Sequence, residues 1–226
     1  RTLARWNLLV LVSELAGDHA AAVDGFRAVL ARKVQVLGVD HPHTHITRMD
    51  LARNLIGADL VDDALVELEP LVAWAVRALG PLDPLRLAAE GTRLLALARA
   101  GRSSAEDLVA LGALVERATA GLGPLAIPTV LLRNHHAQAL GACGDVRGAV
   151  DLLVPLAGEV EERLGATHRH AMAVRSNLAR WSAEVDPVAA AGTYRELERD
   201  LAATLGTGHP FTRHVARSLG RVMARV

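Results

Sequence analysis

A chain of 226 residues, 51% of them hydrophobic, can bury a substantial core, which excludes wholesale disorder and dependence on a structural metal. Its apolar residues are mostly Ala, Leu and Val, with only 3% aromatic, a set that suits close helix packing better than a β-sandwich. Twenty-five basic residues balance twenty-five acidic ones, so no global charge draws the chain to nucleic acid or an anionic membrane, and the single Cys143 excludes an internal disulfide.

No apolar run approaches the roughly 18 residues of a membrane span, so a soluble, cytoplasmic protein is expected. Arg1 to Leu15 already read as the middle of a repeat, without an initiating Met or a leader, and the chain is expected to be a piece of a larger protein. Lys33 is its only lysine, an arginine bias that resembles the coding of a GC-rich bacterial genome.

A fixed period organises everything else. Leu-Gly pairs stand at Leu37-Gly38, Leu79-Gly80, Leu122-Gly123, Leu164-Gly165 and Leu205-Gly206, at intervals of 42, 43, 42 and 41 residues. A turn former follows 22 residues after the leucine, at Asp59, Gly101, Gly144 and Asp186, with Gly17 as the member of the incomplete first unit. A small residue follows at 27, at Ala64, Ala149 and Ala191, with Ala22 in the first unit and Glu106 as the exception.

In chain order these marks predict a helix over 1–16 and its partner over 19–37, then pairs over 43–57 and 60–79, 84–99 and 103–122, 128–142 and 145–164, and 170–183 and 187–205, with a last helix over 210–225. Each Leu-Gly closes a second helix, glycine taking a C′ position that accepts positive φ. Pro42, Pro84 and Pro210 open first helices just after His41, Asp83 and His209, and Asp83 is a good N-cap. Pro70 and Pro155 fall inside second helices, with Gly112 at the same register between them, and predict bends there.

The expected architecture is all-α: a right-handed solenoid of about eleven helices stacked as antiparallel pairs in one domain. Its units cover about 1–42, 43–84, 85–127, 128–169 and 170–209, with a final helix over 210–226. A lone hairpin cannot cover its own apolar face, so stacking supplies the core. The last helix, with Val215, Leu219, Val222 and Val226, is expected to expose an apolar face that a capping unit or a second molecule covers.

The segment Leu37-Gly38-Val39-Asp40-His41-Pro42-His43-Thr44, followed by Arg48-Met49-Asp50-Leu51-Ala52, resembles the tetratricopeptide repeats (TPR) of kinesin light chains and their bacterial relatives. Leu164-Gly165 with Arg175-Ser176-Asn177-Leu178-Ala179, Leu205-Gly206 with His209-Pro210-Phe211-Thr212, and Arg5-Trp6-Asn7-Leu8 repeat parts of the pattern. The third unit has Pro84-Leu85-Arg86 without an Asn-Leu-Ala segment, and the fourth has Arg133-Asn134-His135-His136-Ala137 in its place. The resemblance implies peptide or protein binding on a concave face lined by the first helices, with the Asn of the Asn-Leu-Ala segment facing the ligand. That singles out Asn177, Asn7 and Asp50.

Stepping 100° per residue from Leu51 as the core direction turns Asp50 and Asn54 toward one flank of their helix, with Arg53 beyond them. Equivalent positions supply Asn7, His135, Gln138, Asn177, Arg180 and Trp181, able to bond a peptide backbone and stack on a side chain. Arg48, Arg133 and Arg175 lie nearer the packed face, where an arginine stem covers apolar surface and its head pairs with a carboxylate.

Histidines at 41, 43 and 45, at 135 and 136, and at 168 and 170 raise a metal reading, a zinc enzyme that elemental analysis would test. His41, His168 and His209 share one repeat position, so a common loop role explains them better. Cys143 sits beside a turn with no partnered base, and there is no nucleophile elbow, so no catalytic residue, metal site or cofactor is predicted. The expectation is a non-enzymatic scaffold holding a protein or peptide, with self-association through the terminal helices as a further possibility. Its rival is a C-terminal sensor arm regulating a nucleotide-binding or effector domain outside this sequence.

Overall fold

The computed structural model describes residues 19–226, and these form ten α-helices and no strand. The helix expected over 1–16, with Asn7 and Gly17, lies outside the described residues. The chain divides into two compact units, one ending at Ala100 and the other running from Gly101 to Val226.

In the first unit α1 (His19–Leu37), α2 (Pro42–Gly57), α3 (Val61–Ala78) and α4 (Pro84–Arg99) each pack on their chain neighbours, and α2 also touches α4. The core is made of Ala22, Val23, Phe26 and Val29 from α1, Met49, Leu51, Ala52 and Leu55 from α2, and Ala64, Leu68, Leu71 and Trp74 from α3. In the second unit α5 (Ala105–Leu122), α6 (Ile127–Ala142), α7 (Val146–Leu164), α8 (Arg169–Ser182), α9 (Pro187–Leu205) and α10 (Pro210–Met223) follow the same order, with α6 also touching α8. Its apolar residues gather into one cluster around Leu153, Leu156, Val160 and Val174, and another around Tyr194, Leu197, Leu201 and Val215.

The repeat marks explain where each helix stops. Gly38, Gly123, Gly165 and Gly206 take φ between 90° and 97°, the backbone that an L side chain resists. Gly80 departs from the rule, because α3 ends one residue early on an extended Leu79. Arg86 caps that end instead, its guanidinium donating to the carbonyls of Leu79 at 3.0 Å and Val76 at 3.3 Å. At the turn inside each hairpin, Asp59, Gly101 and Gly144 are left-handed, whereas Asp186 stays extended and caps α9 by accepting the Ala189 N–H. Ala22, Ala64, Ala149 and Ala191 are buried where helices meet, and the exceptional Glu106 is exposed in the first turn of α5.

The starts follow the same logic. Asp83 accepts from the N–H groups of Leu85 and Arg86, and His41, His168 and His209 each accept at Nδ1 from the backbone N–H two residues on. The shared role of these histidines is helix capping. Pro70 and Pro155 are accommodated inside continuous helices with exposed rings.

The expectation for the last helix is corrected. Val215 and Val222 are buried against α9 and Leu219 packs beside them, so that face is covered within the chain, and Met223 and Val226 are the outward apolar residues. No helix among the described residues is long and apolar enough to cross a membrane.

Candidate partner-binding face

Measured from each repeat leucine, the residues 13 and 16 positions on recur as pairs on the first helices: Asp50 and Arg53 in the first unit, and His135 and Gln138, Asn177 and Arg180, and Ser218 and Arg221 in the second. Helical spacing puts both members of each pair on one flank. Arg53 Nη1 lies 3.7 Å from Asp50 Oδ1, and Arg221 Nη2 donates to Ser218 Oγ at 3.0 Å. In α4 the pattern is interrupted, the two positions being a buried Thr92 and a buried Leu95.

The sequence-predicted residues do not all end in the same environment. Arg53 and Arg180 are exposed, and Asp50, His135, Gln138 and Asn177 are half-buried. Asn54 is only 1% exposed. Its amide donates to the Asp50 carbonyl at 2.9 Å, and its Oδ1 lies 2.9 Å from His19 Nδ1, so its polar atoms are engaged inside the fold. Trp181 is buried too, laid so closely over Gly141 that a Cβ there would stand 2.6 Å from the indole. Its Nε1 is enclosed without a hydrogen-bond acceptor among the described residues, and the Arg180 guanidinium stacks 4.7 Å from the ring centre.

Along the α6–α8 seam, Asn177 Nδ2 donates to Asn134 Oδ1 at 3.0 Å, and Gln138 Nε2 reaches the Asn134 carbonyl at 3.4 Å. Asn134, Gly141, Ser218 and Arg221 were not among the residues expected on this face. Counting on from Leu205 finds the last two, whereas nothing short of packing reveals that Asn134 and Gly141 hold Asn177 and Trp181.

Charge is layered in the second unit. Helices α6, α8 and α10 carry seven arginines and no Asp or Glu, whereas α5, α7 and α9 carry ten acidic residues and five arginines. Two of the seven bind across the layers. Arg133 meets Glu159 at 2.6 and 3.2 Å and also donates to the Pro124 carbonyl, and this bond holds the Glu159 carboxyl below its ordinary range. Arg175, buried, meets Asp200 at 2.7 Å and leans on the Ala166 carbonyl. In the first unit Arg48 meets Glu67 at 3.2 Å from the same register. The packed-face reading of these three arginines therefore matches their contacts. In α4 that register holds Glu90, which Arg86 meets at 2.8 Å from one turn earlier.

The remaining candidates are unremarkable chemically. Cys143 is exposed at the C-cap of α6, and burial lowers the pKa of His136. No group of three or more His, Cys, Asp or Glu among the described residues is placed to hold a metal.

Within each unit, helix hairpins succeed one another at a near-constant period, which is a TPR-like repeat fold. Solved structures agree: nearly identical TPR-like repeats from a Podosopora anserina protein assigned to the kinesin light chains match with a TM-score of 0.57 at 24% identity, covering 90% of this chain and 96% of that one. A point variant of those repeats matches with a TM-score of 0.59 at the same identity and coverage. At this identity the likeness is one of fold. No protein-family model and no curated protein matches the chain.

Proposed function

We propose that the protein is a scaffold that holds a segment of another protein against its first helices, without performing chemistry itself. The observation that carries this reading is the recurring pairs Asp50 and Arg53, His135 and Gln138, and Asn177 and Arg180, on helices whose opposite faces are committed to the core. Such side chains bond peptide amides and carbonyls, and the exposed Arg180 guanidinium, stacked over the buried Trp181, offers a flat surface for a partner side chain. On the second unit the partner is an acidic segment, because α8 and α10 expose Arg169, Arg180, Arg213, Arg217 and Arg221 and carry no carboxylate of their own.

The test is an array of acidic, neutral and basic peptides probed with the purified chain, repeated with Asn177→Ala, Arg180→Ala and Arg221→Ala. Acidic peptides are expected to bind, with affinity falling as salt rises, and each arginine variant to weaken binding several-fold. Unchanged binding by all three variants would move the site elsewhere, and a preference for basic peptides would end the electrostatic part of the reading.

A further inference from the structure

Eight residues after the repeat leucine, α4, α6 and α8 each bury an apolar side chain, Leu87, Val130 and Met172, whereas α10 has an exposed Arg213. In α2 this core slot holds His45, which is 1% exposed. Its ring lies flat against Trp74 of α3, with centres 4.1 Å apart and planes 18° from parallel. Neither ring nitrogen makes a hydrogen bond to any of the described residues. We propose that His45 is an acid-sensitive latch on the α2–α3 hairpin, closed while its imidazole is neutral and released when it takes a proton.

A neutral imidazole fills the slot as a flat, largely apolar body against the indole. A protonated one carries two N–H donors and a charge, and the slot serves neither. The carboxylate that would pair with the cation, Asp40 Oδ1 from the α1–α2 turn, stands 3.8 Å from Nε2, beyond hydrogen-bond reach, on a side chain that is 75% exposed. Arg48 of α2 and Arg77 of α3 repel the cation. On the α1 side Lys33 is bonded to Thr47 Oγ1 and the His43 carbonyl, adding positive charge near the same turn, and His41 and His43 stack on each other 5.4 Å apart.

Burial first, and then Arg48, lower the pKa of His45 from its ordinary 6.5, while Asp40 opposes the shift. The closed form therefore binds fewer protons than the open one. Its advantage is complete above pH 6.5 and shrinks as pH falls below that value, the opening constant rising about tenfold per pH unit until the closed form itself protonates. Because α2 also carries Asp50 and Arg53, the latch ties the order of that face to pH.

Hydrogen exchange of the α2 and α3 amides, expressed as protection factors for the full chain at pH 7.5 and pH 5.5, tests this. The parent chain is expected to lose protection at the lower pH, by up to about tenfold. His45→Leu, which installs the residue found in the α4 slot, should hold its protection at both values. His41→Asn, which keeps an N-cap that does not titrate, should behave like the parent. A parent indifferent to pH, a His45→Leu chain that keeps the pH dependence, or a His41→Asn chain that loses it would each overturn the proposal. Should His45→Leu fail to fold, an NMR titration of the His45 ring in the parent decides: a midpoint below 6.5 supports the latch and one at or above it refutes it.

Discussion

Replacing Arg175 with methionine separates a buried arginine's charge from its packing. The methionine retains most of the apolar stem, so the loss comes chiefly from leaving Asp200 unpaired. Removing one partner of a fully buried pair costs about 3–5 kcal/mol. Here the Arg175 side chain is 7% exposed and that of Asp200 is 22% exposed, so water partly re-solvates the orphaned carboxylate and the expected loss is about 2 kcal/mol. Arg199 also approaches Asp200 at 3.9 Å, but it is 75% exposed and makes a poor substitute. The matching change Arg133→Met acts on a pair exposed by 21% and 42%, and should cost about 1 kcal/mol or less. Urea unfolding followed by circular dichroism compares the two, and exchange of the α8 and α9 amides localises the effect. Adding Asp200→Asn to Arg175→Met should recover part of the loss, a coupling of about 1 kcal/mol. Equal losses for the two arginine variants, or strict additivity with Asp200→Asn, would refute the claim that burial sets the strength of these struts.

Gly141→Ala should destabilise by about 1–3 kcal/mol, because the new methyl meets the Trp181 ring at 2.6 Å, whereas Gly158→Ala in α7, with nothing within 4 Å, should be neutral or gain about 0.5–1 kcal/mol; melting temperatures distinguish them. Asp83→Ala should cost about 1 kcal/mol by uncapping α4, and Asp83→Asn should restore most of it. On acid titration, the contribution of Glu159, whose pKa Arg133 lowers, is present above its ordinary 4.5 and lost as pH falls through its lower folded value. Arg133→Met should flatten that part of the pH–stability curve, and an unaltered acid limb would exclude the strut as its source.

Most of the architecture was legible because a solenoid writes its fold locally. Leucine, glycine, proline and small residues recurring every 41 to 43 positions place each hairpin without any long-range information, and the described helix ends agree with the expected ones to within about two residues. The early end of α3 was not legible, since it depends on Arg86 finding carbonyls seven and ten residues away. The site was read less well for a related reason. Angular bookkeeping from Leu51 assigned Asn54 to a flank, but whether a flank meets solvent depends on the neighbouring helix, and His19 closes over that side chain. Trp181 is buried by a glycine 40 residues away whose meaning is silent in sequence.

The balanced composition concealed the charge layering, and the struts show why the two coexist. In the second unit Arg133 and Arg175 cross from first helices to carboxylates of the second-helix layer, Glu159 and Asp200. With no acids on α6, α8 and α10, Arg213 and Arg217 project from α10 without a salt bridge to a carboxylate among the described residues. Screening limits the reach of any charge to about 8 Å at physiological salt, so a segment approaching this layer would meet its five exposed arginines, Arg169, Arg180, Arg213, Arg217 and Arg221, before the zero net charge of the chain. Under the proposed function, the residue choice that fastens one hairpin to the next would also set which partner charge the first helices of the second unit accept.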